Sequence, residues 1–328
     1  MEKRVSVIIP CFNGQKYLDS SIRSVYDQDW PNIELILIDD GSTDGSREIV
    51  SNWEEAFREK GLILKYVYQC NQGPGAAVSR GLKEVTGEYL CLLDADDYYL
   101  PRSISLKADY LDNHPECSLV RSNGYMEKDG KRWLFVFEKA EKESTDVFGL
   151  LIEGKTNNWA GSYMLRTKKL FEFYPDRSIY PSRYGQNLQL LLPVCKDSQC
   201  GFIDQPLMVY RLDTNSLSRE DDLIKKKAKS LRNADGYHDI RMHMVDVLFD
   251  TEEEKMIWNK RVNALYHKNR LRIGIESGDL QLAGEEYREL KRSKQLDLDS
   301  KIVYWNKKNK PVGIALRALR KMANYLNN

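Results

Sequence analysis

Apolar strand-like segments alternate with amphipathic helical segments along the first 114 residues of this 328-residue chain. The strand-like segments are RVSVIIP (4–10), IELILIDD (33–40), LILKYVYQ (62–69) and EYLCLLD (88–94). Such short, nearly continuous apolar runs are typical of strands buried on both faces of a sheet. The helical segments carry apolar residues three and four positions apart, as at Leu18, Ile22 and Val25. Because the connections are too short for anything but parallel crossovers, the pattern predicts an α/β fold with a mostly parallel, Rossmann-like sheet flanked by helices.

Acidic and amide side chains stand at the carboxyl ends of these predicted strands. They are Asp39, Asp40, Asn71, Asp94 and Asp96. Open α/β sheets bind their ligands at this edge, so the sequence predicts a binding site there. Neighbouring carboxylates repel one another and are costly to bury without partners, and a bound cation would relieve both effects. The alternative is a structural turn, in which Asp97 caps a helix that begins near Pro101.

The charge balance and the apolar pattern argue against several classes of protein. The chain carries 50 Lys and Arg residues and 49 Asp and Glu residues, which argues against a nucleic-acid-binding protein with a uniformly basic surface. No uncharged apolar run approaches the ~20 residues needed to cross a bilayer, and the amino-terminal MEKR does not resemble a signal peptide. The six cysteines are scattered without a C-x-x-C pair, which predicts reduced, mostly buried thiols. We therefore expect a soluble cytoplasmic protein.

The composition changes along the chain in a way that predicts two regions. Two further strand patterns surround the turn EKDGK within residues 118–137, and the pattern from 144 to 218 is mixed. Long charged helical patterns follow, with Thr251 and Glu254 as a capping box at one helix start. The predicted boundaries are 1–115 and 116–219 within one domain, and 220–328 for a helical carboxyl-terminal region.

Four sequence motifs lie in order along the predicted sheet: VSVIIPCFNG, IELILIDDGSTDGS, NQGPGAA and GEYLCLLDADD. Through them the chain resembles the family 2 glycosyltransferases, strongly over residues 4–110 and weakly over 150–218. The resemblance implies a GT-A fold that binds a nucleotide-diphosphate sugar through 1–115 and an acceptor through 116–219. It also implies sugar transfer with inversion at the anomeric carbon. The implied donor is a UDP-sugar. The implied acceptor is a lipid-linked or protein-linked glycan in surface polysaccharide or glycoconjugate biosynthesis.

The resemblance also implies a donor site built around a Mn²⁺ or Mg²⁺ ion. Such an ion neutralises the negative charge that develops on the leaving diphosphate. By position, Asp96 holds the metal, and Asp94 places the ribose or completes the metal shell. Asp40, with Asp39 beside it, is implied to accept the N3–H of uracil, although either residue could instead be an ordinary turn residue. The other implied donor contacts are Pro10, Phe12, Asn71, Gly73, Arg80 and Ala95.

The chain departs from the family pattern at two of these places. Many relatives carry Ala-Arg-Asn where this chain has Ala77-Val78-Ser79, so that Arg80 is the candidate for the missing charge. Many relatives also carry a histidine where this chain has Asp213, which is either a third metal ligand or an Asx-turn residue.

The general base of the implied reaction is missing from its usual place. An inverting transferase needs a carboxylate to take the proton of the attacking hydroxyl, which contributes roughly 10²–10⁴ in rate. Gln186 and Asn187 stand where relatives carry the acids, and a neutral amide cannot accept that proton. The nearest candidates for the base are Asp176 and Asp213. Gln186 and Asn187 are candidates for acceptor binding, as is Trp159, which could stack on a sugar ring or belong to the core.

The sequence leaves two other functions open. A protein that kept the donor site and lost its base would be a non-catalytic subunit that binds a nucleotide sugar or a glycan. The segment GPGAAV (73–78) also resembles the dinucleotide fingerprint of an NAD-dependent dehydrogenase. Val78 replaces the third glycine of that fingerprint, and the unit is the third of the sheet rather than the first, which disfavours the dehydrogenase.

A basic amphipathic helix is predicted over residues 313–326. It predicts either peripheral contact with the inner face of a membrane or packing against a neighbouring helix or a second copy in a homodimer.

Overall fold

The computed structural model describes residues 2–212 and 223–309, together with residues 311, 312, 314 and 317. The chain forms two compact units, Met1–Thr214 and Asn215–Asn328. The predicted boundary at 219/220, the candidate Asp213 and most of the predicted helix over 313–326 lie outside the described residues. Among the helices that the structure describes, none is both long and apolar enough to span a bilayer.

A nine-stranded sheet forms the centre of the first unit. The strands are β1 (Val5–Cys11), β2 (Ile33–Asp39), β3 (Ile63–Tyr68), β4 (Tyr89–Leu92), β5 (Tyr98–Tyr99), β6 (Cys117–Lys128), β7 (Lys131–Leu134), β8 (Tyr163–Arg166) and β9 (Gln199–Arg211). Their order is β3-β2-β1-β4-β8-β6-β9-β5, and β7 pairs with β6. The strands β1 to β4 run parallel, whereas β8 lies antiparallel between β4 and β6. The predicted α/β sheet is therefore confirmed, and it becomes mixed beyond β4.

Nine helices of the described chain belong to the first unit, and four belong to the second. In the first unit they are α1 (Leu18–Tyr26), α2 (Ser46–Ser51), α3 (Glu54–Lys60), α4 (Pro74–Glu84), α5 (Ser103–Asn113), α6 (Lys139–Glu143), α7 (Phe148–Ile152), α8 (Thr167–Phe173) and α9 (Gln186–Cys195). In the second they are α10 (Leu223–Leu248), α11 (Glu252–Ser277), α12 (Leu280–Arg292) and α13 (Leu298–Lys308). A helix follows each of the first three strands, as the alternation in the sequence predicts.

Burial explains the apolar character of the parallel strands. β2 and β4 are buried along their whole length, and β1 is buried except at Pro10. The apolar face of α1, with Leu18, Ile22 and Val25, packs into the same core cluster. All six cysteines are free thiols, of which five are buried and Cys70 is exposed.

Glu34 is a charged residue at the amino end of β2 with 0% of its surface exposed. Its Oε1 accepts hydrogen bonds from Ser6 Oγ (2.5 Å) and from the backbone N–H groups of Thr86 (2.6 Å) and Gly87 (3.2 Å). Its Oε2 accepts from Thr86 Oγ1 (2.9 Å) and lies 3.1 Å from Lys65 Nζ. Burial acts to raise the pKa of Glu34, but these hydrogen bonds outweigh burial and lower the pKa from its ordinary value of 4.5. The carboxylate therefore ties the amino ends of β1, β2 and β3 to the turn before β4.

We expect Glu34→Ala to lower the free energy of unfolding by about 3 kcal/mol or more, because removing one member of a buried ion pair leaves its partners unsatisfied. Urea unfolding near neutral pH measures this effect, with the exposed Glu59→Ala as the control.

The same interactions predict how stability depends on pH. The pKa of Glu34 is lower in the folded protein than the value of 4.5 expected in the unfolded chain. The charge of Glu34 therefore makes its full contribution to stability above pH 4.5, and this contribution is lost as the pH falls through the folded-state pKa. The stability gap between wild type and Glu34→Gln should narrow in that acid range. A gap that does not change with pH would contradict the assignment.

The second unit is an assembly of helices whose core includes Leu271, Ala283, Leu290 and Tyr304. Thr251 caps the amino terminus of α11, where the sequence predicts a helix start. Its Oγ1 accepts from the backbone N–H of Glu254 at 3.3 Å and donates to Glu254 Oε2 at 2.7 Å.

Candidate functional site

The carboxyl ends of the four parallel strands lie side by side in the first unit. The N–H of Asp40 donates to the carbonyl of Cys11 at 2.8 Å, and the N–H of Gln69 donates to the carbonyl of Asp39 at 2.9 Å. β4 pairs with β1 up to Leu92, so the acidic turn that follows lies beside the end of β1. The structure therefore brings the predicted donor residues of four separate motifs to one edge of the sheet.

Two predicted contacts lie at the end of β1. Pro10 pairs with Ile38 within the sheet, and Phe12 follows the strand with 54% of its surface exposed. An aromatic side chain this exposed at the ligand-binding edge is available for contact with a base.

Asp39 has a structural role in this edge. Its Oδ1 accepts a hydrogen bond from the backbone N–H of Ser42 (2.7 Å), and its Oδ2 accepts from the Tyr66 hydroxyl (2.7 Å). Burial raises the pKa of Tyr66, and the hydrogen bond to Asp39 raises it further, so the phenol stays protonated and remains a donor. Asp39 thereby fixes the turn after β2 against β3.

Asp40 organises the loop that follows β3. It is 3% exposed, and its Oδ1 accepts from Gln69 Nε2 (2.7 Å) and from the backbone N–H of Gln72 (2.9 Å). Its Oδ2 accepts from the backbone N–H of Gly73 at 2.8 Å. These bonds hold the loop 69–73, which carries the exposed Asn71, against the end of β2. The contact of Asp40 with a base stays a prediction.

We expect Asp40→Asn to lower the free energy of unfolding by about 1–3 kcal/mol, because one oxygen acceptor becomes an NH₂ group that faces backbone donors. Amide hydrogen exchange should also become faster at residues 69–73. The exposed Asp27→Asn is the matched control for chemical denaturation and for exchange. Unchanged exchange in the loop would show that Asp40 does not organise it.

The start of α4 packs closely against a second segment. Gly73 has a φ of 91°, which favours glycine, and a Cβ on Gly75 would lie 2.5 Å from the carbonyl oxygen of Ser182. Arg80 lies further along the helix and pairs with Glu84 at 3.2 Å. This ion pair lies within α4 itself, and a role of Arg80 in donor binding stays a prediction.

The acidic turn links β4 to β5 and contains Asp94, Ala95 and Asp96. Burial, with the charge of Asp96, raises the pKa of Asp94 from its ordinary 3.8 to about 7. Burial and the charges of both neighbouring acids also raise the pKa of Asp97, which is 0% exposed. The Oδ2 atom of Asp97 is buried without a hydrogen-bond partner. A negative charge on Asp94 or on Asp97 is therefore unfavourable in the folded protein.

The capping interpretation of Asp97 is wrong. Helix α5 begins at Ser103, and the preceding Arg102 adopts a φ of 64° without a side-chain cap. Asp97 Oδ1 instead accepts from the backbone N–H of Arg211 at 2.9 Å. Asp97 is therefore bonded to the last residue of β9 rather than to a helix terminus.

The chemistry of the acidic turn fits a hard divalent cation. Such cations prefer carboxylate oxygens, and Mg²⁺ is often held by one or two carboxylates together with substrate phosphates. Asp94 and Asp96 supply that number of carboxylates, and a cation would offset the repulsion that raises the pKa of Asp94. Within residues 2–212 and 223–309, no three His, Cys, Asp or Glu side chains form a ready ligand set. A cation here would therefore need ligands from the substrate or from water.

The candidates on the acceptor side fall into separate surroundings. Asn187 lies in the first turn of α9, after Gln186, and its Oδ1 accepts from the Tyr163 hydroxyl at 2.6 Å. Burial raises the pKa of Tyr163, and the charge of Asp94 raises it further, which places Asn187 near the acidic turn. Asp176 instead lies in an exposed turn after α8, where it accepts from the N–H of Ser178 at 3.3 Å.

Trp159 lies in an aromatic cluster. Its ring stacks on Tyr210, with 5.4 Å between the centroids, and meets Phe135 edge-on at 4.1 Å. Tyr210 therefore covers part of the ring surface of Trp159, and stacking of a sugar on that residue stays a prediction.

Two residues that contact the acidic turn are not among the predicted site residues. The hydroxyl of the buried Ser21 donates to the carbonyl of Asp97 and lies 3.2 Å from the carbonyl of Ala95. A polar residue on the apolar face of α1, next to Ile22, is the signal that could have identified it. Arg211 is the second, and it lies two residues before the candidate Asp213.

Comparisons with known proteins place the chain in a family. The family described as "Glycosyl transferase family 2" matches residues 6–175. An uncharacterized glycosyltransferase of Nostoc sp. is 40% identical over 101 residues, which cover 31% of this chain and 30% of that protein. Glycosyltransferase GlyG of Streptococcus pneumoniae is 26% identical over 67% of this chain and 74% of its own length. TuaG of Bacillus subtilis, named provisionally for teichuronic acid biosynthesis, is 34% identical over 36% of this chain and 43% of its own length. The chain thus spans under half of the Nostoc and TuaG sequences.

Solved structures show the same fold at low sequence identity. Residues 1–349 of Staphylococcus aureus TarS match with a TM-score of 0.62 and 18% identity, over 94% of this chain and 92% of that one. The same TarS segment in complex with UDP-GlcNAc matches with a TM-score of 0.57 and 17% identity over the same shares. The mannosyltransferase PcManGT of Pyrobaculum calidifontis, in complex with GDP-Man and Mn²⁺, matches with a TM-score of 0.58 and 17% identity, over 99% of this chain and 85% of that one. This likeness confirms the predicted GT-A fold. Because the family match covers more than half of the chain, the protein belongs to glycosyl transferase family 2.

Proposed function

We propose that the protein is a metal-dependent, inverting glycosyltransferase that moves a sugar from a nucleotide-diphosphate sugar, with UDP as the nucleotide, to a glycan acceptor. The observation that carries this proposal is the acidic turn at the carboxyl edge of the sheet, where burial and mutual repulsion raise the pKa of Asp94 to about 7. A carboxylate cluster of this kind suits a cation that accompanies a diphosphate. The complexes of the structural neighbours with UDP-GlcNAc and with GDP-Man and Mn²⁺ support the same class of ligand.

The residues of this edge would share the work of donor binding. Asp96 and Asp94 would hold Mn²⁺ or Mg²⁺, which when bound neutralises charge on the leaving diphosphate. Asp40 holds the loop 69–73 in place, and that loop with the exposed Phe12 would border the nucleotide. The acceptor would be a surface glycan, lipid-linked or protein-linked, which the family resemblance and the name of TuaG support.

One observation among the candidate acceptor-binding residues supports a second candidate function. Asn187 stands where a carboxylate base is expected, and its Oδ1 already accepts the hydrogen bond of the Tyr163 hydroxyl. A neutral amide in that position cannot take a proton from an acceptor hydroxyl. The alternative is therefore a non-catalytic subunit that binds a nucleotide sugar.

A panel of UDP-, GDP-, CDP- and dTDP-sugars, offered to the purified chain with Mn²⁺ or with EDTA, tests both functions. Titration calorimetry reports binding, and chromatography of the released nucleotide reports hydrolysis or transfer. Mn²⁺-dependent binding with nucleotide release would support the enzyme, and binding without release would support the non-catalytic subunit. Failure of every nucleotide sugar to bind would refute both.

A further inference from the structure

Arg211, the last residue of β9, joins the acidic turn to neighbouring segments of the same sheet edge. We propose that Arg211 is a positioning residue that holds Asp96 in the geometry needed to bind a divalent cation. This inference rests on the proposed function, because it concerns the same donor site. It concerns a residue that contacts the acidic turn without being one of the proposed metal ligands.

The contacts of Arg211 with the acidic turn involve both its backbone and its side chain. Its backbone N–H donates to Asp97 Oδ1 at 2.9 Å. One guanidinium nitrogen donates to the backbone carbonyl of Asp96 at 3.1 Å and to Ser20 Oγ at 2.8 Å. A single side chain thereby fixes the carbonyl of the proposed metal ligand relative to α1, whose residues include Ser20.

The guanidinium is itself held on several sides. It lies over the ring of Tyr98 at 4.3 Å and over that of Tyr17 at 5.1 Å, measured to the ring centroids. Arg211 Nε lies 3.7 Å from Glu127 Oε1, and the arginine side chain is 19% exposed. A planar guanidinium can stack between rings while it donates in its own plane, which a lysine ammonium cannot do. The site therefore matches arginine rather than a positive charge in general.

The charge of Arg211 also acts on the turn. The backbone N–H of Arg211 binds Asp97 Oδ1, and its guanidinium donates to the carbonyl of Asp96, so a positive charge stands beside two adjacent acids. Residues that orient a metal ligand without touching the metal typically contribute 10–100-fold to metal affinity. Arg211 would orient Asp96 in this way, through its bond to the Asp96 carbonyl.

Arg132 provides a matched control because it shares two partners with Arg211. Its Nε donates to Glu127 Oε2 at 2.6 Å, and one of its terminal nitrogens donates to the Tyr98 hydroxyl at 2.6 Å. Within the described part of the chain, the side-chain hydrogen bonds of Arg132 go to these two residues. Arg132→Met therefore perturbs the surroundings of Arg211 and leaves the bond to the Asp96 carbonyl in place.

The test uses the full-length protein with Mn²⁺ and either UDP or GDP as the probe. Titration calorimetry gives the Mn²⁺ concentration at which nucleotide binding is half-maximal. We expect Arg211→Met to raise this concentration about 10–100-fold, Arg211→Lys to recover only part of the loss, and Arg132→Met to leave it unchanged. Wild-type affinity in Arg211→Met would overturn the inference while the proposed function stands.

Amide hydrogen exchange in the metal-free protein provides a readout that does not depend on the nucleotide. Residues 94–97 should exchange faster in Arg211→Met than in Arg132→Met. If wild type binds neither nucleotide, the proposed function fails, and this comparison alone decides whether Arg211 positions the turn. Equal exchange rates in the two variants would overturn the positioning role.

Discussion

Asp96→Asn is expected to abolish Mn²⁺-dependent binding of UDP. The amide removes one negative charge and one strong ligand from the acidic turn and keeps nearly the same volume. Residues that merely orient a ligand contribute 10–100-fold to metal affinity, so loss of the ligand itself should cost at least about 100-fold. Calorimetric titration of UDP in the presence of Mn²⁺ measures the effect.

The control for this experiment is Asp109→Asn, which removes an exposed carboxylate from α5. It should bind UDP as wild type does, and in EDTA the Asp96→Asn variant and wild type should become equal. Unchanged UDP affinity of Asp96→Asn in Mn²⁺ would remove Asp96 from the metal site.

The pH dependence of the wild-type protein gives a second check on the same site. A carboxyl group binds a metal only when it has lost its proton. Because the pKa of Asp94 is raised to about 7, Mn²⁺-dependent binding should weaken as the pH falls below that value. Binding that is constant through this range would exclude Asp94 as a ligand.

Asn187→Asp is expected to raise the rate of sugar transfer or donor hydrolysis by about 100-fold, which is the lower end of what a general base contributes. The new carboxylate would occupy the first turn of α9, where Asn187 Oδ1 now accepts the Tyr163 hydroxyl at 2.6 Å. An aspartate can accept the same hydrogen bond, so the local structure should be kept. Nucleotide release under saturating donor measures the change.

Asn52→Asp is the matched control, because it makes the same change at an exposed position after α2 and leaves the bond between Tyr163 and Asn187 in place. We expect it to leave the rate unchanged. If Asn187→Asp folds normally and gives no gain, the base lies elsewhere in the protein.

The sequence was sufficient to predict the parallel half of the sheet and the edge that carries the candidate site. The reason is local: buried strands such as IELILID are apolar throughout, and their carboxyl ends must meet at one edge. Asp39 and Asp40 were therefore placed correctly on that edge. Their hydrogen bonds to Tyr66 and to the loop 69–73 could not be predicted, because these partners are about thirty residues away.

Long-range partners also explain why the roles of Asp97 and Glu34 are not evident from the sequence. Asp97 has the local pattern of a helix cap, but its partner is Arg211, which is 114 residues away. Glu34 lies in an apolar strand, and its donors come from β1, β3 and the turn before β4. No periodicity encodes such pairs, since each depends on how distant segments meet in three dimensions.

Few main-chain pairs connect β4 and β5 to the later strands of the sheet, and we call this connection the seam. β4 meets β8 through two residue pairs, and β5 meets β9 through two more. Asp94 and Asp96 precede this seam, whereas Arg211, which bonds to the acidic turn, follows it, as do the candidates for acceptor recognition. A chimera that grafts the later segment of another family member onto residues 1–115 would need to preserve few main-chain pairings of the sheet, but the graft would replace Arg211. Such a graft would therefore have to supply an arginine at this position to keep the bond to the Asp96 carbonyl.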